Sequence, residues 1–230
     1  MNSTYAARAA RNQWPMVMAL VVAFIAAWLS PAVEAQSARA APAAQAKVAN
    51  TVLVMGDSLS AAYGLSAAQG WVALTGARMA KTNPGWRVVN ASISGETTAG
   101  GVARLPAELR RVRPKVVVMA LGANDGLRGL PLAQTKANLD RMIRASKQSG
   151  AKVLLVGMQI PPNYGREYTR GFQQNFSDLA KAHSVAFVPF LLAPIATDRA
   201  MFQDDHLHPV AGAQPKIRDH VWGTLSPLLK

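Results

Sequence analysis

The chain contains no cysteine. It therefore cannot form a disulfide, use a thiol nucleophile, bind a metal through thiolates or carry a lipoprotein lipid. Acidic residues are also few, with 12 Asp and Glu against 25 Lys and Arg, and the formal net charge is +13. Half of the 230 residues are hydrophobic, which supplies enough material for one packed core. The fold must therefore rest on packing alone, beneath a strongly basic surface.

The sequence has no uncharged apolar run long enough to cross a membrane, but its N-terminus has the pattern of an export signal. Arg8 and Arg11 precede the apolar residues 16–29, and Val33-Glu34-Ala35 offers small residues for cleavage. Spanning a hydrocarbon core takes about 20 residues, more than this run provides. We predict a secretory signal peptide over residues 1–35, with an uncleaved anchor as the alternative, and hence a periplasmic or secreted protein.

Nucleic-acid-binding patterns are also absent. Lysine and arginine are scattered along the chain, without helix-turn-helix, aromatic RNA-binding or zinc-finger spacing. We therefore expect no nucleic-acid partner, and a monomer whose basic surface could associate weakly with an anionic membrane.

Beyond the signal, the Ala-rich residues 36–50 predict a disordered stem, and residues 51–230 one folded domain. Short apolar runs predict strands at 51–55, 86–90, 115–121, 152–157 and 185–189. Segments of helical period lie at 67–82, 98–112, 132–149, 169–183 and 212–229. Strands that alternate with helices of this length predict an α/β fold: a five-stranded parallel sheet with helices on both faces, in the three-layer αβα arrangement of flavodoxin.

Residues capable of chemistry follow several of these strands. Ser58 follows the first strand, where we expect a strand-to-helix turn; a serine there could be a nucleophile or merely a helix cap. Gly95 lies in the loop after the second strand, and Asn124 after the third. A glycine amide and an asparagine side chain at neighbouring strand ends could both donate hydrogen bonds to a developing oxyanion, although each motif alone is ordinary turn chemistry.

An acid and an imidazole stand together near the C-terminus. Asp205 precedes His208 by three residues, so it could orient one ring nitrogen while the other faces a serine. A metal site built from Asp204, Asp205, His206 and His208 is the alternative. The Gly-x-Ser-x-Gly elbow of α/β-hydrolases is absent, because position 60 is serine.

Together these segments resemble the SGNH (GDSL) hydrolase superfamily. The resemblance rests on Gly56-Asp57-Ser58-Leu59, Gly95, Gly122-Ala123-Asn124-Asp125 and Asp205-His206-Leu207-His208-Pro209. Residues 90–98, 122–129 and 158–166 look like the bacterial periplasmic branch of multifunctional acyl-CoA thioesterases, arylesterases and lysophospholipases. The similarity covers essentially the whole of residues 51–230.

The resemblance implies roles for single residues. Ser58 would be the nucleophile, His208 the general base and acid, and Asp205 its orienting partner, while Asp57 would only support the turn. The oxyanion donors would be the Ser58 and Gly95 amides and the Asn124 side chain. Residues 158–168, with Ile160, Pro161 and Tyr164, would border the acyl-binding groove, and no cofactor or metal would be needed.

The implied activity is hydrolysis of acyl esters and thioesters, including lysophospholipids. Two alternatives remain: a carbohydrate O-deacetylase that uses the same residues, and a non-catalytic envelope binding protein that keeps the fold. The chain departs from the branch at His206, where glycine is usual; this imidazole could contact a substrate headgroup or point to solvent.

Overall fold

The computed structural model describes residues 50–230, so the predicted signal peptide and nearly all of the predicted stem lie outside the described residues. Five strands form one sheet, in the order β2-β1-β3-β4-β5, and every neighbouring pair is parallel. They are β1 (Asn50–Gly56), β2 (Trp86–Asn90), β3 (Val116–Ala120), β4 (Lys152–Val156) and β5 (Ala186–Val188). All five were predicted from the sequence, with boundaries shifted by at most two residues.

Six α-helices surround this sheet in the described part of the chain. They are α1 (Trp71–Thr82), α2 (Thr98–Val112), α3 (Ala123–Leu127), α4 (Leu132–Gln148), α5 (Arg166–His183) and α6 (Gln214–Leu225). Alternate residues of the central strands separate into two cores: Val116 and Val118 pack with α1 and α6, whereas Val117 and Met119 pack with α2, α4 and α5. The predicted three-layer αβα fold is thus confirmed, because strands buried on both faces need a helical layer on each side.

Three helices differ by more than one residue from their predicted bounds. The segment predicted as one helix over 212–229 is α-helical only over α6, with short 3-10 helices at Ala211–Ala213 and Ser226–Leu228. The predicted helix at 67–82 is interrupted at Gly70, leaving a short 3-10 helix (Ala67–Gln69) before α1. The cause is a long-range contact: the Trp71 amide donates to Gln214 Oε1 at 2.9 Å, which fixes the start of α1 against α6. Helix α5 begins at Arg166, before the predicted residue 169. None of the helices described is long and apolar enough to cross a membrane.

The direction in which strands are added to the sheet switches at β1, because β2 lies on one side of β1 and β3 on the other. The chain crosses from β1 to β2 on one side and then back past β1 to β3 on the other. In parallel sheets of this kind, ligands bind at the carboxyl ends of the strands beside such a point. The loops that follow β1, β2 and β3 carry Ser58, Gly95 and Asn124 to this edge.

Candidate active site

Ser58 lies in a tight turn directly after β1. The Ala61 amide donates to the Asp57 carbonyl at 2.9 Å, and the Leu59 amide to the Asp57 carboxylate at 3.1 Å. No α-helix follows until α1 begins at Trp71, so the prediction that Ser58 stands at a helix N-terminus is wrong. The turn is held by the side chain of Asp57 together with backbone bonds to its carbonyl that do not continue into an α-helix.

Asp57 is almost completely buried, with 2% of its surface exposed. Desolvation raises the pKa of this carboxyl to about 7, and the nearby charges of Glu96 and Asp125 act in the same direction. Hydrogen bonds from backbone amides, including that of Leu59, offset part of the rise. Asp57 therefore stands beneath the turn as a buried acid next to Ser58.

His208 joins Ser58 to Asp205. Its Nε2 lies 2.8 Å from Ser58 Oγ, and its Nδ1 lies 2.6 Å from Asp205 Oδ2. The other carboxylate oxygen of Asp205 accepts from the backbone amides of Leu207 and His208, both at 2.9 Å. Partial burial acts to raise the pKa of Asp205, but these hydrogen bonds outweigh it and hold the pKa at about 2. Ionised Asp205 can thus orient the imidazole and stabilise its cationic form.

Tyr63 and Gln203 hold the loop that carries His208, and neither residue was predicted from the sequence. The ring of Tyr63 packs on that of His208, with 4.4 Å between their centroids. Gln203 donates from Nε2 to the carbonyls of Tyr63 and Pro209, and its amide donates to the His208 carbonyl at 2.7 Å. These contacts join residues 140 positions apart, a separation at which no local pattern links them.

Three candidate donors follow β1, β2 and β3 in the chain: the amides of Ser58 and Gly95 and the side chain of Asn124. Gly95 has a φ of +76°, a conformation that glycine adopts without strain and that leaves its amide unhindered. Within residues 50–230, neither the Gly95 amide nor the Ser58 amide donates to another protein group. The Asn124 side chain uses Nδ2 to donate to the Glu96 carbonyl at 3.0 Å, which leaves its second N–H free. This set is suited to an oxyanion.

A buried network holds the donors in place. Asp125 is 2% exposed and accepts from the amide of Thr98 at 2.8 Å and from its hydroxyl at 2.5 Å. Asp125 thereby ties the loop after β3 to the first residue of α2. Glu96 is likewise paired with Arg104, which also donates to the Ala91 carbonyl. Polar groups this deeply buried must be satisfied in full, so both links constrain the loops strongly.

A cavity of about 410 Å³ opens beside Ser58, Asn124 and His208. Most of its remaining lining is apolar and comes from the end of α3, from the segments after β4 and β5 and from the 202–208 loop: Leu127, Met158, Ile160, Pro161, Pro162, Phe190, Leu192, Ala196, Phe202 and Leu207. Ile160 and Pro161, which were predicted to border an acyl-binding groove, are among these lining residues. Tyr164 is not part of the lining; its hydroxyl donates to the carbonyl of Leu127, which does line the cavity.

The alternative metal site does not form as a ligand cluster. Across residues 50–230, no three His, Cys, Asp or Glu side chains are grouped so that they could hold an ion. His206 turns instead to Arg199, with 2.6 Å between Nε2 and Nη2, while Asp205 is engaged by His208. The remaining histidines have separate contacts: His183 pairs with Asp140, and His220 with the Phe190 carbonyl.

The site has a serine hydrogen-bonded to an imidazole, which is hydrogen-bonded in turn to a carboxylate. This arrangement, at the edge of a parallel αβα sheet, is typical of serine hydrolases. The chain belongs to the GDSL-like lipase/acylhydrolase family, which matches residues 54–213. The predicted relationship to SGNH hydrolases is thus confirmed.

Several characterised proteins are similar over most of their length. Esterase TesA of Pseudomonas aeruginosa is 50% identical over 185 residues, which cover 80% of this chain and 92% of that protein. A thioesterase/protease/lysophospholipase of Escherichia coli is 41% identical over 80% of this chain and 88% of that protein. A crystal structure of TesA superposes with a TM-score of 0.76, covering 78% of this chain and 99% of that one. A structure of the esterase EstA from Pseudoalteromonas, inhibited by monoethylphosphonate, has 39% identity and a TM-score of 0.75, covering 78% of this chain and 98% of that one.

Proposed function

We propose that this protein is an exported serine esterase and thioesterase that cleaves acyl esters, acyl thioesters and lysophospholipids through Ser58, His208 and Asp205. The observation that carries the proposal is the unbroken chain of contacts from Ser58 Oγ to His208 Nε2, at 2.8 Å, and from His208 Nδ1 to Asp205, at 2.6 Å. This chain ends at an apolar cavity that can hold an acyl group.

In the first step, Ser58 Oγ attacks the acyl carbonyl carbon while His208 Nε2 takes the hydroxyl proton. The tetrahedral intermediate then breaks its bond to the alcohol or thiol, which leaves with the proton that His208 returns. Water next enters, gives a proton to His208 and attacks the acyl-enzyme carbonyl. The carboxylic acid is released, and the proton goes back to Ser58.

Negative charge develops on the carbonyl oxygen in both halves of the reaction. We assign its stabilisation to the amides of Ser58 and Gly95 and to the free N–H of Asn124, which are preorganised and need not rearrange. Asp205 keeps its charge throughout, because hydrogen bonds hold its pKa at about 2. It therefore favours the imidazolium that forms when His208 takes the proton.

The character of the cavity favours acyl chains over sugars. Ile160, Phe190 and Leu192 are typical of its lining, and no carboxylate is among the lining residues. Pyranose binding relies on dense hydrogen bonding, which this surface does not offer. The relatives are named esterase, thioesterase and lysophospholipase, and these names also favour acyl chains over sugars as substrates. The cavity therefore favours an esterase for acyl chains over the carbohydrate O-deacetylase alternative.

The test compares purified wild-type protein with Ser58→Ala on p-nitrophenyl acetate and p-nitrophenyl decanoate, in buffer with a chelator. We expect wild type to hydrolyse both and the variant to lose at least about 10³-fold in kcat at an unchanged melting temperature. Asp205→Asn should lose activity too, because the imidazole would no longer be held in the working tautomer. Equal rates for wild type and a folded Ser58→Ala would refute Ser58 as the nucleophile.

Export and a monomeric state complete the proposal. The cationic start, apolar run and small residues of positions 1–35 support cleavage after Ala35. N-terminal sequencing of the protein recovered from the periplasm should give Gln36 as the first residue; full-length chain in the membrane fraction would contradict it. Light scattering should give a monomer, and flotation with vesicles containing phosphatidylglycerol should show only weak binding, abolished by salt.

A further inference from the structure

His206 lines the same cavity as Ser58 and His208 but takes no part in the contacts between them. Its backbone has a φ of +58°, one of four positive values at non-glycine residues in 50–230. An L side chain disfavours this conformation, whereas glycine adopts it freely. Strained residues of this kind cluster at functional sites, where the strain is compensated by what the residue does.

The contact between Arg199 and His206 indicates what this side chain could do. Its Nη2 lies 2.6 Å from His206 Nε2. Because a guanidinium is always protonated and has no acceptor, Arg199 must donate and His206 Nε2 must accept. The neutral His206 ring then carries its proton on Nδ1, as a second donor. Arg199 keeps four further N–H groups, and no carboxylate within residues 50–230 lies at ion-pair distance from it.

Among the described residues, none of the neighbouring acids forms an ion pair with this guanidinium. Asp198 accepts from the Ala200 amide, and Asp205 is held by His208. Asp204 is exposed and lies outside the cavity lining. Arg199 and His206 thus form a pair of hydrogen-bond donors with one fixed positive charge at the border of an otherwise apolar site.

The position of this pair relates it to the leaving group. His208 must return a proton to the departing oxygen or sulfur, so the leaving group has to lie against the loop that carries His208, two residues from His206. We propose that Arg199 and His206 form an anion-binding subsite that favours substrates whose leaving group bears a phosphate. The inference rests on the proposed esterase and thioesterase function and adds the residues that select among its substrates.

The experiment uses two thioesters with the same acyl chain: octanoyl-coenzyme A, which carries phosphates, and S-octanoyl-N-acetylcysteamine, which carries none. Octanoyl-lysophosphatidylcholine forms a third arm. The measured quantity is the ratio of kcat/KM for a phosphate-bearing substrate to kcat/KM for the neutral thioester. Variants are Arg199→Ala and His206→Gly, the second of which also relieves the strained backbone and so should fold. Arg110→Ala, an exposed arginine on α2, controls for loss of general positive charge.

We expect the ratio to fall about three- to ten-fold in Arg199→Ala and in His206→Gly, through KM, as fits partly exposed charge-assisted hydrogen bonds. High salt should lower the wild-type ratio in the same direction. Arg110→Ala should leave it unchanged. A fall with coenzyme A alone identifies the coenzyme phosphates as the ligand, and a fall with the lysophospholipid alone identifies its phosphodiester; either supports the subsite.

An unchanged ratio in both variants, or an equal fall in Arg110→Ala, would overturn the subsite while leaving the esterase intact. Wild type that hydrolysed none of the three substrates would instead overturn the proposed function. The subsite is then judged by calorimetric titration of coenzyme A into Ser58→Ala. Binding that Arg199→Ala weakens supports it, and binding that is absent or insensitive to Arg199 refutes it.

Discussion

Asp57 makes stability depend on pH in a direction opposite to that of most carboxyl groups. It is 2% exposed, and burial raises its pKa to about 7 from 3.8. Well below pH 3.8 the carboxyl is neutral in both the folded and the unfolded chain, so it adds no pH dependence there. As the pH rises from about 4 to about 7, the unfolded chain ionises while the folded one stays protonated, and folding stability falls.

The size of the effect follows from the shift. One pKa unit corresponds to about 1.4 kcal/mol, so a shift of about three units costs on the order of 4 kcal/mol of unfolding free energy by neutral pH. The asparagine in Asp57→Asn carries no charge and has the size of the aspartate side chain. Its carbonyl oxygen can accept the hydrogen bond from the Leu59 amide. The free-energy difference between variant and wild type should therefore move in favour of the variant by about that amount between pH 4 and pH 8.

The assay is urea unfolding followed by tryptophan fluorescence at pH 4, 5, 6, 7 and 8, since Trp71 is buried in the core. Asp219→Asn is the matched control, because Asp219 is about half exposed and hydrogen bonds with Arg218 lower its pKa. Its difference from wild type should be flat above pH 5. If the Asp57→Asn difference is equally flat, Asp57 ionises in the folded protein like a surface carboxyl, and the burial argument fails.

Two further predictions concern catalysis. Asn124→Ala should lower kcat by about 10²- to 10³-fold on p-nitrophenyl esters with little change in melting temperature. Asn83→Ala, away from the site, should change neither kcat nor the melting temperature. A near-normal rate for Asn124→Ala would remove Asn124 from the oxyanion donors. Ala196→Phe, which narrows the cavity, should lower kcat/KM for decanoate at least about ten-fold more than for acetate, and Ala193→Phe, outside the lining, should not; parallel losses on both esters would mean that acyl chains bind elsewhere.

The sheet could be predicted from the sequence because its three central strands, β1, β3 and β4, are buried on both faces. Val116–Ala120 is buried at every position, and such a continuous apolar run between amphipathic segments has few other structural solutions. The site residues could be predicted for a related reason: parallel strands bring their carboxyl ends to one edge, so a polar residue after each strand is placed beside the others by topology alone.

Contacts between distant segments could not be predicted in this way. The break before α1 depends on Gln214, and the packing of Tyr63 against His208 joins two loops that no periodicity relates. Helix α3 is another case: residues 123–127 form a single helical turn containing a glycine, which propensity alone assigns to a turn. In each case tertiary contacts outweigh a weak local preference.

The two sides of the active site are held to different degrees. On the side of the proposed oxyanion donors, Asp125 ties α3 to α2 through buried contacts, and the part-buried Arg104–Glu96 pair supports the Gly95 loop. On the base side, Asp205, His206 and Leu207 are exposed, and the loop is fastened mainly by Gln203 and one antiparallel bridge between Phe202 and Pro209. Stabilising the oxyanion requires the same fixed dipoles for every acyl substrate, whereas the leaving group differs from one substrate to the next. We therefore expect substitutions that change substrate preference with little loss of activity to lie on the base side, near Arg199 and His206.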